Sequence, residues 1–597
     1  MSARAARTAS TISRPCQSSS RRVLSSIPSK WLHDRGEQTI SHPEPTPLRK
    51  HLKDEAKHQR KERRSSDPGN ASASIRRAAE WELTVGVEIH AELNTERKLF
   101  SDAPAASANG NALANSNVAL FDAAMPGSQP RFQRATLLPA LRAAIALGCQ
   151  VQRKSGWDRK HYFHWDQPNG YQITQYYEPF AKDGSLSLGL QDGVTADDLH
   201  GADSLTVGIK QVQMEQDTAK TIHCPPSTYH VDLNRAGHPL IEIITLPQIH
   251  SPQAAAAVVR KVQSILKSVD ACVTGMELGG LRADVNVSVR KRGSHGSLSY
   301  GGVTGLGQRT EIKNLSSFAA IENAIVAERD RQISILESGG VVEGETRGWT
   351  LNSSETTRLR GKEGEVDYRY MPDAELPPLL IGDDLVEHLR ATLPELPDET
   401  VARLQAQYGM SLKDAKTLAS LDDGDRVEFM QETVELILAR LQAPKMNRVR
   451  LGRVTGNWIL HEVGGLLATS DMEWNELSVC ASELADIIVN LQRKQITSRT
   501  AKQLLSTLHR LPTQASRPTV EQLIDDGNLR LRPLSEEGYI ALAKSIMAES
   551  PEMVAAVRNR GQTGKIMWFV GQMVRRGVDG TVEPERAKET VEKLIGG

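Results

Sequence analysis

Two carboxylates and an imidazole stand at alternate positions near the start of the first folded segment, in residues 85–93 (VGVEIHAEL). The alternation of apolar and polar residues predicts a β-strand. Successive side chains of a strand point to opposite faces, so Glu88, His90 and Glu92 share one face. Such a face can hold a divalent cation, and an oxygen-rich set of ligands suits Mg²⁺. By itself this short pattern is weak evidence, and a solvated polar face with a histidine is the alternative that it favours.

Acids mixed with arginine or lysine recur in four later segments: 214–220 (MEQDTAK), 276–286 (MELGGLRADVN), 309–314 (RTEIKN) and 365–370 (EVDYRY). An ATP–magnesium site needs this mixture, because acids hold the metal and cations neutralise the transferring phosphate. Each segment alone also fits a solvated sheet face. If several of them converge on one concave surface they form a site, but spacing along the chain does not establish convergence.

The common nucleotide-binding and nucleophile motifs are absent from the sequence. There is no G-x-x-x-x-G-K-[ST]; the nearest approach, 561–565 (GQTGK), has the wrong spacing. There is also no protein-kinase motif set and no G-x-S-x-G. A nucleotide site in this chain is therefore of an uncommon type, and acyl-enzyme chemistry is not indicated.

The predicted secondary structure changes at Pro378, from strands with a few helices to helices alone. Before it, strand-like segments at 209–214, 240–244 and 281–289 accompany two helices at about 251–269 and 317–338. The first helix is marked by the possible cap Ser251 and by an apolar stripe. After it, helical periodicity dominates at 384–407, 413–421, 426–443, 447–468, 474–493, 498–509, 519–526, 535–548, 551–558, 563–576 and 584–595.

We therefore predict an α+β fold: an N-terminal cradle domain with a mainly antiparallel sheet, followed by an all-α middle region and an all-α C-terminal tail module. The predicted divisions are 1–80 for a transit peptide and disordered basic spacer, 81–378 for the cradle, 379–445 for a helical domain and 446–597 for a helical tail.

Composition narrows the class of protein. The 597 residues are 39% hydrophobic and carry no net charge, and the mean hydropathy is −0.40. No apolar run approaches the roughly 18 residues that span a bilayer, so no membrane partner is predicted. The five cysteines form no C-x-x-C pair, which argues against a disulfide framework and a structural zinc site.

The zero net charge conceals a basic N-terminus. Residues 1–80 hold 17 Lys and Arg against 8 Asp and Glu, and the first 30 contain nine serines and no acid. This composition is typical of a mitochondrial transit peptide and lacks the apolar centre of a secretory signal. It predicts location in the mitochondrial matrix; the alternative is a basic tail that is retained.

The helical end of the chain is also basic. Residues 491–597 carry 17 basic and 12 acidic side chains, a modest indication of a polyanionic partner. An ordinary solvated helical surface is the alternative.

Many ordered segments resemble the family of glutamyl-tRNA(Gln) amidotransferase B subunits, from about residue 81 to the end. They include 85–101 (VGVEIHAELNTERKLFS), 159–179 (RKHYFHWDQPNGYQITQYYEP), 213–220 (QMEQDTAK), 231–243 (VDLNRAGHPLIEI), 280–290 (GLRADVNVSVR), 310–318 (TEIKNLSSF), 366–379 (VDYRYMPDAELPPL) and 564–576 (GKIMWFVGQMVRR).

The resemblance implies a function, cofactors and partners. The family amidates glutamate misattached to tRNA(Gln): a partner amidase (A) subunit releases ammonia from glutamine, and a small third subunit completes the complex. The B subunit, which gives the family its name, binds Glu-tRNA(Gln) and uses ATP and Mg²⁺ to phosphorylate the glutamyl carboxylate. Ammonia then converts the product to the amide. The acyl phosphate is labile, so water must be kept out.

The resemblance also implies residue roles. The catalytic and metal-holding set is Glu88, His90, Glu215, Asp284 and Glu311. Arg282 and Lys313 are expected to meet ATP phosphate, and Lys565, Arg575 and Arg576 to meet tRNA phosphates. The chain departs from the family's M-E-E-D at Gln216, where an amide replaces a carboxylate, which puts the ligand set in question.

Two alternatives remain at this stage. A non-catalytic tRNA-binding scaffold that kept the fold is supported only by Gln216. A free-standing metallohydrolase built on Glu88 and His90 lacks a nucleophile and a zinc-type ligand set.

Overall fold

The computed structural model describes residues 80–105, 112–272, 274–350, 353, 355–361, 368–442, 448–512, 517–532, 534–560, 563–577 and 582–596. The predicted transit peptide and spacer lie outside these residues, apart from Glu80. The strands are β1 Trp81–Glu92, β2 Gln150–Val151, β3 Lys154–Ser155, β4 Asp158–His161, β5 Tyr171–Thr174, β6 Ala181–Leu188, β7 Leu205–Gln216, β8 Lys220–Cys224, β9 Thr228–Asp232, β10 Pro239–Thr245, β11 Leu281–Lys291, β12 Leu298–Tyr300, β13 Val303–Leu306, β14 Arg309–Leu315, β15 Glu345–Gly348, β16 Thr357–Gly361, β17 Met371–Pro372 and β18 Leu379–Leu380.

The helices are also numbered in chain order. They are α1 Leu137–Ala146, α2 Ala196–Leu199, α3 Pro252–Ser268, α4 Phe318–Glu337, α5 Asp383–Thr392, α6 Pro397–Tyr408, α7 Leu412–Ala419, α8 Asp425–Leu441, α9 Arg448–Asn457, α10 Gly464–Ser470, α11 Ala481–Gln492, α12 Ser498–Arg510, α13 Val520–Asp526, α14 Glu536–Glu549, α15 Pro551–Arg560, α16 Ile566–Arg576 and α17 Pro584–Gly596. The prediction of an α+β fold with a helical C-terminal half is confirmed.

A nine-stranded sheet organises the N-terminal half in the order β16-β15-β14-β11-β1-β10-β7-β6-β2. Its neighbours are antiparallel except for β14 and β15, which confirms the predicted mainly antiparallel sheet. β1 lies at the centre between β10 and β11. The strand that carries the first predicted site residues is thus held on both sides by backbone pairing.

Alternation along β1 separates a core face from a polar face. Val85, Val87, Ile89 and Ala91 are buried in the main apolar core, where α3 packs on β1 and α4 packs on β11. Both helices begin as predicted, since Ser251 Oγ accepts a hydrogen bond from the backbone N–H of Ala254 and α4 has an equivalent serine cap. The polar side chains therefore lie on the sheet face away from these helices.

A small three-stranded sheet, β17-β4-β5, lies against β7 on this polar face. Gln172 Nε2 on β5 donates to Glu215 Oε1 at 3.3 Å, and Gln213 Nε2 donates to Thr174 Oγ1 at 3.3 Å. The small sheet therefore encloses the polar face on one side.

Two predicted helices prove shorter than the periodicity indicated. The segment 384–407 is divided into α5 and α6, because Pro394 and Pro397 cannot continue a helix across residues 393–396. The segment 474–493 begins as a 3₁₀ turn, and α11 starts only at Ala481. There the Glu483 carboxylate accepts a hydrogen bond from the backbone N–H of Cys480 at 3.0 Å, which sets the N-terminus.

The helical half contains two separate apolar cores. One extends from Val401 to Ile524 and joins α6–α8 to α9–α13; the other extends from Tyr539 to Ile595 within α14–α17. The first core thus draws on helices on both sides of residue 445, and the division into domains at residues 445 and 446 stays a prediction. Among the described residues, no helix is long and apolar enough to cross a membrane.

Candidate functional site

The register of the central strands sets the site. His90 on β1 lies opposite Glu242 on β10 and opposite Arg282 on β11, while Glu88 lies opposite Asp284. Directly opposed residues in antiparallel strands share a face. Residues far apart in the chain are therefore brought to one polar surface by backbone pairing alone.

Glu88, His90 and Glu242 form the tightest group on this surface. His90 Nε2 lies 2.9 Å from Glu242 Oε1 and 3.6 Å from Glu88 Oε1. One ligand atom from each of the three lies within 4.8 Å of the others, and the second oxygen of Glu242 accepts a hydrogen bond from Gln213 Nε2 at 2.6 Å. Two carboxylates and one imidazole in this arrangement can bind a divalent cation.

Burial and mutual charge shift the pKa values of this group. Burial by itself would lower the pKa of His90, but the negative charge and hydrogen bond of Glu242 outweigh it and raise that pKa to about 9. Burial would raise the pKa of Glu242, yet Lys160 and His90 hold it well below its usual value. Burial and the Glu242 charge raise the pKa of Glu88. The two carboxylates therefore favour positive charge at the imidazole, supplied either by a proton or by a bound cation.

Glu215 lies beside this group, but its carboxylate forms an ion pair with a lysine side chain. Its Oε1 lies 3.0 Å from Lys160 Nζ, and Lys160 is also 3.9 Å from Glu242. Burial and the charge of Glu242 raise the pKa of Glu215 to about 7, against the opposing effect of Lys160. Lys160 thereby bridges Glu215 to the Glu88–His90–Glu242 group.

Asp284, Glu311 and Lys313 make a second ionic group on the same face. Lys313 Nζ lies 3.3 Å from Asp284 Oδ2 and 3.3 Å from Glu311 Oε1. The backbone N–H of Asn314 donates to Asp284 Oδ1 at 2.8 Å, and Thr346 Oγ1 donates to Glu311 Oε2 at 3.0 Å. Burial would raise the pKa of Asp284, but Lys313 and His90 lower it, so Asp284 is ionised.

Arg282 makes a third ionic contact. Its Nη2 lies 2.9 Å from Asp217 Oδ1, and Arg235 Nε is 3.4 Å from the other oxygen of Asp217. The two guanidinium groups share the Asp217 carboxylate. Glu92 is a second acid near them, and burial and the charge of Asp217 raise its pKa to about 7.

These groups surround a cavity of about 370 Å³, within the usual range for small-molecule sites. Five predicted site residues line it: His90, Glu215, Arg282, Asp284 and Lys313. Glu88 lies next to it through His90, and Glu311 lies behind Lys313. Lys160, Arg235, Arg282 and Lys313 supply four cations to the lining.

The residues present fit a divalent cation. Among the described residues, the buried atoms His90 Nδ1 and Glu215 Oε2 have no hydrogen-bond partner, and unpaired buried polar atoms are costly. An oxygen-rich donor set with one nitrogen suits Mg²⁺ or Mn²⁺. The fitting ligands are Glu88, His90 and Glu242, with Glu215 adjacent. The predicted ligands Asp284 and Glu311 are not in this group and instead pair with Lys313.

The side chain of Gln216 makes its hydrogen bond outside the Glu88–His90–Glu242 group. Its Oε1 accepts a hydrogen bond from the backbone N–H of Ile173 at 2.9 Å, and its own carbonyl accepts from Gln172. The amide thus fastens the small sheet to the end of β7.

We expect Gln216→Glu to leave Mg²⁺ affinity within about twofold, because a carboxylate oxygen at this position can accept the same Ile173 hydrogen bond without approaching His90. Isothermal titration with Mg²⁺ measures this, with Gln213→Glu, which places charge beside Glu242, as the comparison variant. A gain of tenfold or more would show that position 216 belongs to the ligand set.

Sequence reasoning missed Glu242 and Lys160. Glu242 lay inside a segment that we treated as an apolar strand, 240–244, although a charged residue in the middle of a buried strand is itself a signal. Lys160 carried no pattern of its own. In the predicted segment 365–370, Glu365 and Asp367 lie outside the described residues.

The three predicted tRNA-contacting residues lie on or beside α16. Lys565 precedes the helix, and Arg575 and Arg576 occupy its last turn. Arg575 is exposed, whereas Arg576 Nη1 is 2.6 Å from Glu549 Oε2 in an exposed ion pair. Because such pairs are weak, Arg576 as well as Arg575 is accessible to a polyanion, and Lys565 is partly exposed.

The chain is similar to known proteins over most of its length. Residues 83–387 match the family model described as the GatB/GatE catalytic domain, and residues 446–595 match the GatB domain. The B subunit of the mitochondrial glutamyl-tRNA(Gln) amidotransferase from Aspergillus oryzae is 57% identical over 555 residues, covering 92% of this chain and 91% of the relative. The proteins of the same name from Emericella nidulans (55%, covering 96% and 93%) and Talaromyces marneffei (56%, covering 92% and 91%) are similar.

Proposed function

Because the chain belongs to the family of glutamyl-tRNA(Gln) amidotransferase B subunits, we propose that it phosphorylates the glutamyl side chain of misacylated Glu-tRNA(Gln) with ATP and directs the acyl phosphate to amidation. Members of this family are subunits of a multisubunit ligase. The close relatives are mitochondrial proteins, which confirms the predicted mitochondrial location.

The chemistry requires activation of a carboxylate. An ionised carboxylate resists attack by ammonia and offers no good leaving group. Its oxygen therefore attacks the γ-phosphorus of ATP, the bond to the β-phosphate oxygen breaks, and ADP leaves. Ammonia then adds to the acyl phosphate carbon and inorganic phosphate departs, so the amide forms at the cost of one ATP.

The supporting observation is that His90, which belongs to the Glu88–His90–Glu242 group, lines one cavity together with four cations. In our proposal Glu88, His90 and Glu242 hold Mg²⁺, with Glu215 adjacent. The bound ion would supply charge neutralisation at the transferring phosphoryl group.

The remaining residues act by position and charge. Arg282 and Lys313 neutralise the phosphate oxygens, Asp284 and Glu311 hold Lys313 in place through the two 3.3 Å contacts, and Lys160 orients Glu215. The small sheet β17-β4-β5 covers part of the polar face, which limits access of water to the labile intermediate.

The partners are part of the proposal. An amidase (A) subunit supplies ammonia from glutamine and a small third subunit completes the assembly. Lys565, Arg575 and Arg576 contact tRNA phosphates, which position the substrate without reading its sequence.

The test is transfer of γ-³²P from ATP to Glu-tRNA(Gln) by the assembled complex in the absence of an ammonia source. We expect a labelled, hydroxylamine-sensitive acyl phosphate that requires Mg²⁺, and no product with correctly charged Gln-tRNA(Gln). Tight binding of Glu-tRNA(Gln) without transfer of label would instead establish the non-catalytic scaffold.

A further inference from the structure

A row of aromatic side chains leads from the wall of the cavity onto an exposed hairpin. Tyr162 and His164, which line the cavity, stack at 5.1 Å between ring centroids. His164 meets Trp165 at 5.2 Å, and Trp165 meets Tyr229 at 5.4 Å. The row thus begins inside the proposed catalytic site and ends outside it.

The hairpin holds the outer part of this row in place. β8 and β9 pair antiparallel with His223 opposite Tyr229, and these two rings lie 4.9 Å apart. Trp165 Nε1 donates to Thr221 Oγ1 at 3.1 Å, which fastens the indole to the same hairpin face. At the base of the hairpin, the backbone N–H of Ala219 donates to the carbonyl of Asp166 at 2.8 Å. The ring positions are therefore set by backbone and side-chain hydrogen bonds.

The outer rings are exposed to an unusual degree for aromatic residues. Trp165 is 56% exposed and Tyr229 is 53% exposed. We call the surface formed by Trp165, Tyr229 and His223 the aromatic platform. A contiguous exposed aromatic surface beside a site is typical of an interaction surface.

We propose that the aromatic platform stacks the terminal unpaired bases of the tRNA acceptor strand and so delivers the esterified amino acid to the cavity. This inference rests on the proposed function, because it takes aminoacyl-tRNA as the substrate. The amino acid of such a substrate is esterified to the ribose of the 3′-terminal adenosine, so the adenine necessarily lies close to the reacting carboxylate. Ring contacts of 5.1, 5.2 and 5.4 Å connect Tyr162 on the cavity wall to Tyr229 on the platform. The platform therefore lies next to the cavity.

The chemistry of the platform favours a polynucleotide end over the base of ATP. Stacking on aromatic side chains binds unpaired bases with little sequence preference. A small ligand is normally enclosed by its pocket, whereas the platform lies outside the cavity with more than half of each outer ring exposed. His164 and His223, whose rings belong to the row, add nitrogen atoms that can donate hydrogen bonds to the adjoining phosphates.

The decisive variant is Trp165→Ala in the full chain assembled with its partner subunits. We expect the dissociation constant for tRNA(Gln) to rise about 5- to 150-fold, the range that corresponds to the loss of one stacked base. KM for Glu-tRNA(Gln) rises with it, while KM for ATP is unchanged. Trp165→Phe, which keeps an aromatic face, restores most of the affinity.

A second arm uses tRNA(Gln) that lacks its terminal adenosine. Removal of the adenosine weakens binding to the unaltered complex, and this loss is absent in Trp165→Ala, as a double-mutant cycle requires for two groups in contact. Tyr229→Ala repeats the measurement with a ring from the hairpin. Leu190→Ala, which removes an exposed apolar side chain elsewhere in the same domain, serves as the control and binds both tRNAs normally.

Each other outcome overturns the inference. A rise in KM for ATP alone assigns the platform to the nucleotide, and impaired assembly of the complex in gel filtration assigns it to a protein partner. Equal binding of intact and shortened tRNA by the unaltered complex excludes a base contact. The γ-phosphate transfer assay with the unaltered complex tests the proposed function separately from these measurements. Failure of the platform and failure of the proposed function are therefore distinguishable.

Discussion

Replacing Glu88 by glutamine is expected to reduce ATP-dependent phosphorylation of Glu-tRNA(Gln) by at least about 100-fold, with the dissociation constant for tRNA unchanged. The substitution keeps the shape of the side chain but removes one of the two negative charges that lie within ligand distance of His90. Loss of a metal ligand or of its charge removes several kcal/mol of stabilisation from the transition state. The γ-phosphate transfer assay and filter binding of tRNA measure the two quantities.

A matched control lies on the same strand. Glu82 on β1 contacts Arg290 at 2.8 Å, away from the cavity, so Glu82→Gln removes a carboxylate from β1 without altering the proposed site and retains activity. Mg²⁺ affinity, measured by titration or with Mn²⁺ by electron paramagnetic resonance, falls in Glu88→Gln and not in Glu82→Gln. Normal phosphorylation by Glu88→Gln would remove Glu88 from the catalytic set.

Ending the chain at Arg532 is expected to weaken tRNA binding by tenfold or more and leave the rest of the protein folded. This truncation removes α14–α17 together with Lys565, Arg575 and Arg576, and it falls between the two helical apolar cores. The dependence of log K on log salt concentration becomes shallower by about 2–3, since each missing phosphate contact contributes about 0.7–0.9. Fluorescence anisotropy at several salt concentrations provides the measurement.

The position of the truncation is critical. A chain ended near residue 450 would lack α11, whose Leu484 is fully buried in the first helical core where α11 packs on α8, and that core would be exposed. A chain ended at Arg532 instead gives up the ion pairs of Lys494 with Glu583 and Glu585, and exposed pairs contribute little stability. Unchanged tRNA affinity and salt dependence in the Arg532 truncation would refute the assignment of the tail to tRNA binding.

Local patterns predicted the individual elements well because they depend on short-range geometry. The two-residue period of a strand was enough to place Glu88 and His90 on one face of β1 and Val87 and Ile89 on the other. The possible serine cap Ser251 located the start of α3. Periodicity overestimated the length of helices where proline or a capping carboxylate intervened, as at Pro394 and Glu483.

Convergence of the site depended on strand pairing across more than 150 residues. The neighbours of Glu88 and His90 are chosen by the order of the nine-stranded sheet, and a one-residue shift in register would turn every side chain to the other face. Glu242 reached His90 only through the pairing of β10 with β1, and Lys160 reached Glu215 only because the small sheet packs on β7.

The sequence alone determined the polar face of β1, the positions of most helices, the basic ends of the chain and its resemblance to a tRNA-dependent ligase family, since each depends on composition, period or ordered motifs. The tertiary structure alone decided that Glu242 completes the group around His90, that Gln216 fastens a backbone, and that the helical cores divide after residue 532. The physical reason is that hydrogen-bonded register and side-chain packing join residues by distance in space, which spacing along the chain does not encode.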